Sequence, residues 1–72
     1  MNYKVAKMYR DELVRRIDAV LKTPEQYTRQ EQQELRLKRT KLRGLTPAQL
    51  IAAFEAVERK EPDLYKRIMR VE

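Results

Sequence analysis

Five cations fall within eight residues at Arg36-Leu37-Lys38-Arg39-Thr40-Lys41-Leu42-Arg43, and no acid occurs between Glu34 and Glu55. Clustered Lys and Arg neutralise phosphates along a nucleic-acid backbone and release its condensed counterions. The run also has a purely local account. Glu25, Glu31 and Glu34 lie at the start of the same predicted helix, and acids before cations is the order the helix macrodipole favours. The cations outnumber what capping requires and spread around the helix, so the local account does not displace the phosphate reading, and the two stand level on this run alone. Arg15, Arg16 and Lys22 of the preceding helix are the candidates to extend the surface. Contact is expected mainly with backbone, and so with weak sequence specificity.

Other chemistry is poorly supplied. The chain has no Ser, Cys or His, so the common nucleophile–base pairs cannot be assembled. The usual nitrogen and sulfur metal ligands are missing as well. Carboxylates sit on helix faces among Lys and Arg, and nothing indicates the burial that raises a carboxyl pKa. Gly44 is the only glycine, so no phosphate-cradling loop can form. The expectation is a protein that is not an enzyme and uses no cofactor and no metal.

The tyrosines offer little more. Tyr3, Tyr9, Tyr27 and Tyr65 do not interleave with the basic run, and three fall on apolar stripes. Packing in a core or interface accounts for them better than a stacking platform does.

The elements that must hold these groups are helices. From about Tyr3 to Lys22 the apolar residues Val5, Met8, Tyr9, Leu13, Val14, Ile17, Val20 and Leu21 recur at spacings of three and four, which predicts an amphipathic helix. Its polar face includes a four-residue step from Asp11 to Arg15. Pro24 ends it at Thr23. A second, weakly amphipathic helix begins at Pro24 or at the capping box Thr28-Arg29-Gln30-Glu31 and runs to about Arg43. Gly44 is then expected to cap it in the left-handed conformation.

The third helix has the clearest start in the chain. Thr46 is its N-cap, Pro47 fits the first turn, and Gln49 completes a capping box. Leu45 and Leu50 are spaced as a hydrophobic staple. Leu50, Phe54 and Val57 share a face, with Ile51 and Ala53 beside them. After Glu61-Pro62-Asp63, the residues Leu64, Tyr65, Ile68, Met69 and Val71 predict a short closing helix.

The fold class is therefore all-α: a small helical bundle of three main helices plus a short C-terminal helix, in one domain over residues 1–72. The expected core is Val5, Tyr9, Leu13, Ile17, Val20, Leu21, Leu35, Leu42, Leu50, Phe54, Val57, Leu64 and Ile68. Such a small domain buries only about 60% of its unfolded surface, so a homodimer or a partner complex would suit it. A ribbon-helix-helix fold, with Tyr3, Val5 and Lys7 in a strand, fails because residues 28–34 supply no apolar face. A helix-turn-helix reader using Thr46–Lys60 fails because that helix is too apolar for a groove and carries Glu55 and Glu58.

Net charge is +6, and the excess lies wholly in the first 44 residues. Residues 1–22 and 23–44 each carry six Lys/Arg against three acids, while the remainder carries five of each. No apolar run predicts a signal peptide or a membrane span. With no cysteine, a cytoplasmic setting is expected. The favoured function is a small basic binding protein that contacts nucleic acid, DNA or RNA, in a regulatory or accessory role. The alternative is a protein–protein interaction module, an adaptor or inhibitor, docking on an acidic partner surface.

Overall fold

The computed structural model describes residues 1–70. It is all-α: α1 (Tyr3–Lys22), a single 3-10 turn (Pro24–Gln26), α2 (Arg29–Gly44), α3 (Pro47–Glu58) and α4 (Pro62–Met69). Among the described residues there is no strand, and Tyr3, Val5 and Lys7 belong to a helix. Val71, expected in the closing helix, lies outside the described residues.

Local signals set the helix starts. The Asn2 side chain accepts from the Val5 N–H at 2.9 Å and caps α1. Both expected capping boxes form. Thr28 Oγ1 accepts from the Glu31 N–H at 3.1 Å while Glu31 Oε1 accepts from the Thr28 N–H at 3.0 Å. Thr46 and Gln49 make the same reciprocal pair at 3.2 and 3.0 Å. Pro24 does end α1 at Thr23, but it starts only the 3-10 turn. Gln32 Nε2 donates to the carbonyls of Pro24 and Tyr27, at 3.2 and 3.0 Å, and clasps that turn to α2.

Gly44 is not a left-handed cap. No glycine has positive φ, and Gly44 is the last residue of α2. The link to α3 is only Leu45 and Thr46, both extended, because Thr46 must already cap α3 and Leu45 is drawn into the core. Among the described residues the left-handed one is Lys60, at φ 58°. Its N–H donates to Val57 O at 3.1 Å, and the Glu61 N–H donates to Ala56 O at 2.8 Å. This is a Schellman motif, and it ends α3 at Glu58, short of Lys60, and turns the chain into α4.

The core runs through Ala6, Val14, Ile17, Leu42, Leu45, Leu50, Phe54 and Met69, with Leu13, Leu21, Leu35 and Ile68 packed against it. Helix α1 packs on α2 and α3, and α4 folds back on α3 with a lighter contact to α2. Of the expected core, Ile17, Leu42, Leu50 and Phe54 are buried, and Val20 and Leu64 are half-buried. Three expected core residues are instead exposed: Val5 at 36%, Tyr9 at 49% and Val57 at 50%. Their places are taken by Ala6, Ala53 and Ala56, which are essentially inaccessible. Small side chains let helices approach closely, and α3 turns its Ala53–Ala56 side inward because α4 lies across it.

Candidate nucleic-acid interface

The basic run lies on the second half of α2, where helical periodicity divides it between two flanks. Arg36, Arg39 and Arg43, three and four residues apart, share the flank nearer α1. Lys38 and Lys41 occupy the opposite flank.

The first flank is organised by one acid of α1. Arg39 Nη1 donates to Asp18 Oδ1 at 2.6 Å, and Arg43 Nη2 stands 3.7 Å from Asp18 Oδ2. Arg39 is half-buried by this contact, while Arg43 remains largely exposed. Beside them is an open groove of about 390 Å³ lined by Arg10, Asp11, Val14, Arg15, Asp18 and Arg43. Arg36 is exposed on the same side of α2 as Arg39 and Arg43, and Lys22 lies one turn beyond Asp18 on α1. Neither makes an ion pair among the described residues.

The second flank is different. Lys38 is exposed and borders a shallow hollow with Tyr27, Glu31, Glu34 and Leu35. Lys41 is half-buried. These two lysines do not join the groove.

On α1 the expected Asp11–Arg15 pair does not form. Asp11 is bound by its neighbour Arg10, whose Nη2 is 3.2 Å from Oδ1. Arg15 and Arg16 both reach Glu12, at 2.7 and 3.2 Å. Hydrogen bonds from Arg15, and then from Arg16, hold the Glu12 carboxyl below the ordinary range, and Glu12 in turn raises Arg15. Sharing an acid does not put the two arginines on one side. Arg15 faces the groove with α2, whereas Arg16 lines a separate hollow with Tyr9, Glu12, Leu13, Phe54, Val57 and Glu58.

The fold therefore puts Arg15 and Arg43 on one groove, with Arg39 bound to its Asp18, while Arg36, Lys22, Lys38, Lys41 and Arg16 are outside its lining. Arg10 belongs to the groove although the charge pattern does not single it out. Its signal is the four-residue ladder Arg10–Val14–Asp18 on one face of α1. The groove carries three arginines, Arg10, Arg15 and Arg43, around two carboxylates, Asp11 and Asp18. No group of three or more His, Cys, Asp or Glu able to hold a metal exists among the described residues. No helix among them is long and apolar enough to cross a membrane.

Helix α3 buries Leu50, Ala53, Phe54 and Ala56, so it serves as a central packing element. Its Glu55 is occupied by the Met1 ammonium at 3.1 Å and Arg59 at 3.6 Å. The class defined by this fold and surface is a small, basic, all-helical domain. No family model, curated protein or solved structure matches the chain.

Proposed function

We propose that this protein is a non-enzymatic binding protein that contacts nucleic-acid backbone through the α1–α2 face, in a regulatory or accessory role. The observation that carries this reading is the convergence of Arg10, Arg15 and Arg43 on one groove whose Asp18 also holds Arg39. Phosphate is the ligand for which forked guanidinium groups at such spacing are best suited. Arg36 and Lys22 extend the face, and the contact is mainly with the sugar–phosphate chain, with weak sequence specificity.

The test is fluorescence anisotropy of labelled duplex DNA and single-stranded RNA at two salt concentrations. Two variants split the basic run: Arg36, Arg39 and Arg43 all changed to Gln, and Lys38 with Lys41 changed to Gln. Circular dichroism checks that each keeps its helices. Each lost phosphate contact should flatten the log–log salt slope by roughly 0.9 on duplex, so the triple variant should lose roughly three units and most of the affinity. The lysine variant should change little. Absence of binding at low salt, or equal losses from both variants, would remove this reading.

Docking on an acidic protein surface is the second reading. It draws on the same residues, since Arg39 and Arg43 already hold a carboxylate in Asp18 that a partner's carboxylates would supplement. Binding to acidic polypeptide without binding to either nucleic acid would select it.

A further inference from the structure

The arginine groove leaves a second surface unused, on the side of α1 that turns away from α2. Val5 and Tyr9 stand one turn apart on α1, with Met8 beside Val5, and Val5, Tyr9 and Met8 are 36%, 49% and 64% exposed. Tyr9 and Leu13 continue into a hollow of about 480 Å³ with Phe54 and Val57. The Tyr9 and Phe54 ring centroids are 5.9 Å apart, which gives the hollow a firm aromatic floor. Val57 also borders a neighbouring hollow of about 360 Å³ formed with Lys60, Glu61, Pro62 and Tyr65. The apolar surface thus extends from the first turns of α1, across the end of α3, to the start of α4.

We propose that this surface is a self-association face on which a second copy of this chain docks about a two-fold axis. Three observations select that occupant. The first is the rim, where Glu12 is already paired with Arg16 and where Glu58 and Glu61 stand with Lys60. In a chain of net charge +6, this is a surface without the positive excess. It offers nothing to a polyanion or an acidic partner, yet two copies can meet there without repulsion. An isologous contact requires one patch to complement itself, and a rim of mixed sign does so.

The second observation is that the apolar arc of α1 is wider than its own core covers. Ala6, Val14 and Ile17 are buried, while Val5, Met8 and Tyr9 are left out. Contiguous exposed apolar area of this kind marks an association surface. The third is the thinness of the core, in which, among the described residues, Leu42 and Leu50 are the only large side chains fully buried. A domain of this size gains proportionally more than a large one from further burial. The basic groove opens on the other side of α1, so pairing leaves it accessible.

The test is sedimentation equilibrium of the protein alone, from micromolar to submillimolar concentration, without nucleic acid. The expected result is a reversible shift from 8.7 kDa toward twice that mass. Val57→Glu and Met8→Glu, at exposed positions where the monomer should remain folded, should each raise the dissociation constant by at least about tenfold. Leu37→Glu, on the outer face of α2, should leave it unchanged, and circular dichroism at low concentration should show all three equally helical. A monomer at every concentration would overturn the proposal and leave the face to another apolar partner. Dissociation by Leu37→Glu but by neither face variant would overturn it too. No result here depends on nucleic-acid binding, so the proposal stands or falls apart from that reading.

Discussion

Asp18 and Arg39 join α1 to α2 through a 2.6 Å hydrogen-bonded ion pair that spans 21 residues of sequence. The same carboxylate faces Arg43 at 3.7 Å. One acid of the first helix therefore holds two cations of the basic run on the flank facing α1, restraining their charge as well as positioning it.

Asp18→Asn separates those two effects. The pair is about a third exposed on each side, so its loss should lower stability by no more than about 1 kcal/mol, a fall of roughly 4–8 °C in melting temperature for a domain of this size. With the carboxylate gone, Arg39 and Arg43 are free for phosphate, so duplex DNA should bind more tightly at low salt. Anisotropy on the variant measures this. A destabilised variant with unchanged or weaker affinity would show that the arginines serve only the α1–α2 contact.

Gly44→Ala should stabilise the protein. Gly44 is helical with φ below zero, and an added Cβ would meet nothing within 4 Å. Removing the freedom of glycine from the unfolded chain at such a site is worth about 0.4–1 kcal/mol. Thermal denaturation decides it. If Gly44 were the left-handed cap, the same change would destabilise instead.

Lys60→Gly should also stabilise, for the complementary reason. Lys60 holds the left-handed conformation, at φ 58°, which costs a side-chain-bearing residue roughly 1–2 kcal/mol. Glycine removes that cost and keeps both hydrogen bonds of the Schellman turn. A melting temperature that falls would mean that the α3–α4 turn is not built this way.

Glu12 should show an acid-side dependence. Its carboxyl is held low in the folded state by Arg15 and Arg16, so its contribution is present above the unfolded value, near 4.5, and fades as pH falls through the lower folded value. The pair stands at the surface, where solvent screens it, so the effect is confined to the acid range and small. In an NMR titration the Glu12 carboxyl should have its midpoint below that of an unpaired glutamate. Glu12→Gln should flatten the acid loss of stability; a Glu12 midpoint at the ordinary value would show that neither arginine is held.

Much of the helix layout is legible in the chain because the signals that start helices act over three or four residues. Thr28 with Glu31 and Thr46 with Gln49 each satisfy the other's backbone N–H, and Pro24, Pro47 and Pro62 stand at the starts of their elements. Gly44 and Lys60 are the counterexample. Glycine type favours a left-handed cap at the end of α2, but the two-residue link through buried Leu45 requires an extended exit, and the fold places the left-handed turn at a lysine.

The sequence by itself determined the all-helical architecture, the helix starts, and the concentration of positive charge in the first 44 residues. These are local or compositional properties. Tertiary structure decided which part of each apolar arc is core, leaving Tyr9 and Val57 exposed and burying Ala6, Ala53 and Ala56. It also divided the basic run, bringing Arg39 and Arg43 to Asp18 and leaving Arg36, Lys38 and Lys41 away from it. Helical periodicity sets which residues share a face. What covers that face, and which charge meets it, depends on where the other helices lie.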